Sequence, residues 1–463
     1  MAQLEEDAVN FEGLARDVAQ WSSQFQAELK NRPVAASTGR GLPKRMLALN
    51  GNGARSAFDD FTAHIAPQLS ASAGPRYLGF VTGGATPASI MADWLVAATD
   101  QNVAAPGDSI ATEVELQAAS WLLELFELPS SFEGILTSGA TASNVLGALC
   151  ARQHAGSQQN LDIAKAGLSG SEIEVFAATP HASMQKAFSF SGLGRDAITF
   201  VPCLPNSEKM DTNALKSMLK QSKSKGKIVV ASAGTVTGTD FDDLREISKL
   251  CKIHKAWLHV DGAFGLFARL MPSCKHWTEG IELADSITAD AHKWLNVPYD
   301  CGIFFCKHPK ILQQTCSVAA PYLDIDNILP AFMDRGIENS RRFRALPVWM
   351  SLLAYGKNGY QQLVEKNCAQ ALALAKWISD SNDYELLVEC KLNVVVFRPV
   401  GSRDKEVKIA LKKINSTGKV YMTPGIWQGE AAIRAAFSNW QTSMKDVKIV
   451  CNALESLTGK DLV

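Results

Sequence analysis

Lys293 stands between His292 and Trp294 in the run Ala289-Asp290-Ala291-His292-Lys293-Trp294-Leu295, with the apolar Gly302-Ile303-Phe304-Phe305 close behind. An ammonium in such surroundings is stripped of water and gives up its proton more readily, which is what an amine nucleophile needs. Thirty-two residues earlier, Trp257-Leu258-His259-Val260-Asp261-Gly262-Ala263 reads as a buried strand ending on a carboxylate. That interval matches one crossover unit of a parallel sheet. An acid and an amine are therefore expected to converge on one ligand from one sheet edge. Two further stretches could join them. Thr137-Ser138-Gly139-Ala140-Thr141 falls between a strand and a helix, where free backbone N–H groups and small hydroxyl residues make an anion seat. It is neither a Walker A loop nor GxGxxG. His181 follows Thr179-Pro180 at another strand end. Each of these has an ordinary alternative: a plain turn, a structural histidine, an Asp261 that only caps the next segment, or a surface lysine beside a buried tryptophan. Their occurrence together, in this order, argues for a site.

The elements that must position these groups alternate. Strands are expected at 134–137, 174–178, 197–201, 227–231 and 256–260. Helices are expected at 113–128, 141–154, from Ser183, from a cap at Asp211 to Gln221, and at 242–254. The strands are nearly continuous apolar runs, so the sheet is mostly parallel and covered on both faces. Ligands bind beyond the carboxyl ends of such strands, where Ser138, Gly139, His181, Thr235 and Asp261 fall. Earlier, Phe11, Leu14, Val18, Trp21 and Phe25 have helical spacing, suited to capping the domain or clasping a partner chain. Gly74 to Gly84 is a glycine-rich turn, either a connector or a place where backbone approaches something closely. After Ala345 a long helical stretch leads to strands at 384–388, 394–397, 419–422 and 432–437 and a Lys-rich helix near Lys408, a smaller α/β domain.

Composition narrows the function. The chain has 463 residues, 46% hydrophobic and 20% charged, with a net charge of −1. That is a globular composition with no field to attract nucleic acid or an anionic membrane. The basic run Lys220, Lys223, Lys225 and Lys227 reads as a solvated loop. No apolar run is long enough to span a membrane, and the acidic N-terminus lacks a secretory h-region. Ten scattered cysteines without CxxC point to a reducing, cytoplasmic setting. The pairs Cys251/His254, Cys274/His276 and Cys306/His308 lack four-ligand spacing, so no metal is expected.

Ser138-Gly139-Ala140-Thr141, His181, His259-Val260-Asp261-Gly262-Ala263 and Asp290-Ala291-His292-Lys293-Trp294 together resemble the signature of the pyridoxal-phosphate-dependent group II amino acid decarboxylases. The resemblance runs from about Pro75 through Arg341-Arg342-Phe343-Arg344. It implies a fold-type-I, aspartate-aminotransferase-like α/β architecture. The expected parts are an N-terminal segment over 1–105 embracing a second subunit, a large seven-stranded cofactor domain over 106–344, and a small domain over 345–463. It implies a homodimer with shared active sites. Lys293 would hold pyridoxal 5'-phosphate covalently, Asp261 would pair with its ring nitrogen, and His181 and Ala263 would lie on its two faces. Gly139, Ala140, Thr141 and His292 would hold the phosphate, Thr235 would lie near the cofactor, and Ser340 would reach the neighbouring subunit's phosphate. Tyr322 would protonate the carbon left by departing CO2. Relatives that make aldehydes oxidatively tend to lose this tyrosine or the histidine, and both are present here.

Three departures bear on substrate. Val236 replaces a second threonine, Asp290 replaces the asparagine of aromatic-type members, and Gly79-Phe80 replaces the Asn-Gln of members acting on acidic amino acids. Phe80, Val81 and Thr82 are therefore expected to meet a neutral or aromatic side chain, although Gly83-Gly84 is not typical of the aromatic group. The expected reaction is decarboxylation of an L-amino acid to an amine. The rivals are another reaction with the same cofactor (oxidative aldehyde synthesis, a different lyase reaction or transamination) and a non-catalytic paralogue acting as a binding partner.

Overall fold

The structure is a computed structural model that describes residues 2–35, 41–42, 44–317 and 329–457. Seven strands form the main sheet: β1 (Glu133–Thr137), β2 (Ile173–Ala177), β3 (Ile198–Phe200), β4 (Gly226–Ser232), β5 (Trp257–Asp261), β6 (Ser286–Asp290) and β7 (Gly302–Cys306). Their order is β1-β7-β6-β5-β4-β2-β3. Strand β7 runs antiparallel to both β1 and β6, and the remaining pairs are parallel. Every residue of β4, β5, β6 and β7 is buried, as the unbroken apolar runs require of a sheet covered on both faces.

Four more strands, β8 (Tyr384–Leu386), β9 (Val394–Pro399), β10 (Thr423–Trp427) and β11 (Glu430–Ala436), make an antiparallel sheet in the order β10-β11-β9-β8. It packs with the helices Asp404–Ser416 and Met444–Glu455 around a second apolar core. The helix Ala345–Ser379 joins the two cores and breaks at Gly356, whose φ of +59° suits glycine. Val348 and Leu352 lie in the first core, Leu374 and Ile378 in the second.

Three details differ from expectation. The link from β5 to β6 is not a helical crossover but three short 3₁₀ turns, Gly265–Leu270, Lys275–Thr278 and Ile281–Leu283. The segment 419–422 is extended but joins neither sheet. Tyr421 instead bridges Tyr77, its carbonyl accepting from the Leu78 amide at 2.8 Å. The four-stranded sheet begins one residue later, at Thr423. Lys227 is buried at the start of β4, with Nζ donating to the Ser224 carbonyl, because the apolar strand begins at Gly226. Lys220, Lys223 and Lys225 do lie exposed.

Candidate active site

At the carboxyl edge of the main sheet a cavity of about 370 Å³ gathers residues from seven separate stretches of chain. Larger clefts exist, such as one of about 750 Å³ beside Lys30, Arg76 and Lys419, but none of the residues singled out in the sequence reaches that one.

One wall is the start of the helix Ala140–Ser157. Ser138, Gly139, Ala140 and Thr141 line the cavity here, and the first turn of the helix carries unpaired N–H groups. Gly139 has φ +148°, and a Cβ on it would meet His292 Cε1 at 3.1 Å. Arg341 fixes this edge from behind. Its buried guanidinium pairs with both carboxylate oxygens of Glu115 and donates to the Leu136 carbonyl in β1.

The opposite wall is Asp261, at the end of β5. One of its oxygens accepts from the Ala263 amide at 3.1 Å, the other from Asn144 Nδ2 at 2.9 Å. His181 caps the helix Ala182–Phe190, its Nδ1 accepting from the Ser183 amide at 3.2 Å. Burial holds its imidazole below the ordinary histidine pKa, Lys293 and Arg434 push it the same way, and Asp261 opposes them. Ala263 and Thr235 also line the cavity. The Thr235 hydroxyl donates to Glu208 and accepts from the Asp240 amide. Burial lifts the Glu208 carboxyl above its usual range.

Lys293 follows β6 on the single helical turn Ala291–Trp294. Its Nζ lies 3.7 Å from Asp290 Oδ2 and 5.8 Å from the centre of the Phe264 ring. The Asp290 carboxylate, buried, also takes His292 Nε2 at 3.1 Å, and its Oδ1 has no partner among the described residues. His292 Nδ1 accepts from the Cys301 amide at 3.2 Å, so its proton sits on Nε2, facing Asp290. Tyr299 packs on the same ring, with centroids 4.3 Å apart.

Phe80 and Val81 line the mouth, with φ of +57° and +59°. A left-handed β-branched residue is strained, and such strain gathers at functional sites. Thr82 is buried behind them, its hydroxyl 3.2 Å from the Tyr299 hydroxyl, rather than on the cavity wall. Ser340 is exposed and does not line the cavity. Tyr322 lies outside the described residues.

The sequence reading passed over two contributors. Arg434, on β11, is buried in the cavity wall with Nε donating to the Val236 carbonyl and Nη2 unpartnered among the described residues. Burial lowers its pKa to about 10, against the pull of Glu208. A lone arginine within Ala431–Phe437 was the available signal. Asn144, the polar residue just ahead of the apolar run Val145-Leu146-Gly147-Ala148, was the other. Val236, which replaces a second threonine, supplies its carbonyl to Arg434.

A buried carboxylate at one end, a helix start at the other, an amine between them and an imidazole at the side suit a flat anionic cofactor such as pyridoxal 5'-phosphate. The comparisons agree. The model of the pyridoxal-dependent decarboxylase conserved domain matches residues 46–400. An aromatic-L-amino-acid decarboxylase of Bacillus atrophaeus is 27% identical over 450 residues, 93% of this chain and 91% of that protein. The tryptophan decarboxylase of Catharanthus roseus in complex with L-tryptophan superposes with a TM-score of 0.88 at 23% identity, covering 98% and 99% of the two chains. Oryza sativa TDC with PLP and tryptamine superposes with a TM-score of 0.89 at 20% identity, covering 98% and 99%. The chain belongs to the pyridoxal-dependent decarboxylase family, a carboxy-lyase that works with pyridoxal 5'-phosphate on an L-amino acid.

Proposed function

We propose that this enzyme decarboxylates an aromatic L-amino acid to the corresponding amine. The observation that carries the reading is a single cavity holding Lys293, Asp261, His181 and the helix start at Ala140, with Phe80 and Phe264 on its walls. The names of the relatives point the same way.

The cofactor, when bound, supplies an electron sink for the pair left behind as the carboxylate leaves. The chain's own residues do the rest. Lys293 offers the amine that would hold the cofactor, and the Asp290 carboxylate, 3.7 Å away, orients it. Asp261, kept in place by Asn144 and the Ala263 amide, would present its carboxylate to the ring nitrogen. His181 and Ala263 would hold the two faces of the ring. Ala140 and Thr141 would hold the phosphate on free backbone N–H groups, and Gly139, whose own amide donates to Thr137 Oγ1, would leave room for it beside the His292 ring. Thr235 braces the edge through Glu208. Phe80 and Val81 receive the side chain, and Thr82 supports them from behind through Tyr299. Arg434 offers its free Nη2 to a substrate carboxylate. Tyr322 keeps the proton-donor role that the family resemblance implies, and Ser340 its place at the neighbouring site.

We read the functional unit as a homodimer, with 1–105 as the embracing segment. The helix Phe11–Glu28 buries none of its residues, and Met46, Leu47 and Leu49 are 96%, 100% and 99% exposed. An apolar stretch this bare needs a cover. All ten cysteines are free, which fits the cytoplasm. No helix among the described residues is long and apolar enough to cross a membrane.

The test is a product assay. Protein supplied with pyridoxal 5'-phosphate is offered aromatic, basic, acidic and diamino L-amino acids while CO2, amine, aldehyde and hydrogen peroxide are followed. CO2 matched by amine from an aromatic substrate supports the proposal. Aldehyde with peroxide overturns simple decarboxylation, and no turnover revives a binding role. Arg434 favours one second reading, an acidic side chain, which amine from the acidic members would establish.

A further inference from the structure

Behind the cavity a continuous line of hydrogen bonds runs from the core to His181. Trp257 Nε1 lies 2.9 Å from Ser286 Oγ, which lies 2.8 Å from His259 Nδ1. His259 Nε2 lies 3.0 Å from Asn144 Oδ1. Asn144 Nδ2 lies 2.9 Å from Asp261 Oδ2 and 2.9 Å from Ser183 Oγ, which is 2.8 Å from His181 Nδ1.

The chemistry of the groups fixes the direction of every bond. An ionised carboxylate can only accept, so Asn144 must turn its Nδ2 towards Asp261 and its Oδ1 towards His259. His259 Nε2 then donates to Asn144 Oδ1, and the neutral ring leaves Nδ1 to accept from Ser286, whose oxygen takes the Trp257 indole N–H. The second N–H of Asn144 goes to Ser183, whose hydroxyl and amide both face His181 Nδ1. Both imidazoles are neutral in this arrangement, and burial favours that: it holds His259 down to about 4 and His181 below its ordinary value.

We infer that Asn144 is a positioning residue that orders the hydrogen bonds of Asp261 and His181 together. It orients the Asp261 carboxylate, and it orders the Ser183 hydroxyl, which joins the Ser183 amide as a second donor to His181 Nδ1. Helical spacing makes this possible. Gly147, three residues on and on the same face, leaves the space that the His259 ring fills. A Cβ there would lie 2.3 Å from His259 Cε1. The bond order stands on geometry alone, whereas its kinetic consequence rests on the decarboxylase reading above.

The test uses the full-length chain labelled with ¹⁵N-histidine, the His181 signal being identified by its loss in His181→Gln. Nitrogen NMR of the cofactor-free protein is expected to show one His181 tautomer, protonated on Nε2. Asn144→Leu is expected to keep that tautomer, which the Ser183 amide also holds, but to move the Nδ1 resonance as the Ser183 hydroxyl loses its partner. In the loaded enzyme it is expected to shift the visible cofactor band and to lower kcat about 10- to 100-fold, the scale of one lost hydrogen bond to a charged group, with KM changed less than about threefold. Ser183→Ala is expected to move the Nδ1 resonance likewise, with the amide of residue 183 still donating, but to leave the visible band in place, because the bond from Asn144 to Asp261 survives. An unmoved His181 Nδ1 resonance in Asn144→Leu overturns the inference. If that variant fails to fold, an unmoved resonance in Ser183→Ala does so. A resonance that moves in both variants, in a protein releasing CO2 from no amino acid, supports the relay and removes the decarboxylase reading instead.

Discussion

Gly83 lies against the backbone of Lys293 so closely that a Cβ on it would come within 1.7 Å of the lysine's carbonyl oxygen. The turn carrying Phe80 and Val81 is thereby seated on the turn carrying the amine. Asn296, which holds both sides, accepts the Thr86 amide at 3.0 Å on its carbonyl and donates Nδ2 to the Trp294 carbonyl at 3.0 Å. Gly83→Ala has no side-chain rotation that relieves the clash. It is expected to destabilise the protein by about 1–3 kcal/mol and to weaken cofactor retention. Thermal unfolding and visible absorbance after dialysis check this, and an unchanged melting temperature would contradict it.

Lys293→Ala removes the amine. The absorbance of lysine-bound cofactor is expected to vanish, borohydride is expected to trap no cofactor on the chain, and turnover is expected to fall by about 10³-fold or more. Persistence of a reducible lysine-bound cofactor would mean that another lysine is the nucleophile.

Arg434→Met separates binding from stability. A buried guanidinium with an unpartnered Nη2 costs folding energy, and methionine fills the same space without charge. The variant is expected to melt no lower than wild type while KM rises about 10-fold or more, as expected when a charged hydrogen bond to substrate is lost. A KM unchanged on the best substrate would place the carboxylate elsewhere.

The pH dependence of folding follows from His259. Burial lowers its pKa from 6.5 to about 4, so between those values the unfolded chain binds a proton that the folded chain refuses. The stability that this group contributes is whole above pH 6.5 and is lost as the pH falls towards 4. Over that window the loss is roughly 3 kcal/mol. Asp242, lifted by burial to about 6, acts in the opposite sense. The comparison is therefore between wild type and His259→Gln, in denaturant melts from pH 7.5 to 4.5. The variant is expected to show the shallower acid loss, and equal slopes would contradict the assignment.

Much of the site could be read from the chain because it is local. Gly139 to Thr141, Asp261 and Lys293 each end a strand that announces itself by an apolar run, and the rules of parallel sheets send those ends to one edge. Asn144 and Arg434 were passed over because their roles depend on distant neighbours. Asn144 meets Asp261 across 117 residues, and Arg434 meets Val236 across 198. The strand misplaced at 419–422 has the same origin: its backbone partners, near Tyr77, come from the far end of the chain. The 3₁₀ link between β5 and β6 was hidden because Gly265–Leu270 is fully buried and its apolar run carries no helical period.

Strand β1 pairs with β7 and with no other strand of its sheet. As the polypeptide leaves the ribosome, Glu133 waits 173 residues for its partner Cys306. Until then the turn at Gly139 hangs on an unpaired edge, and pairing over such a separation is slow. The remaining strands can assemble first, so the lysine side of the site and its anion seat meet only when β7 slides between them. Cofactor capture therefore waits on the insertion of β7, and a nascent chain stalled before residue 302 has no complete site to load.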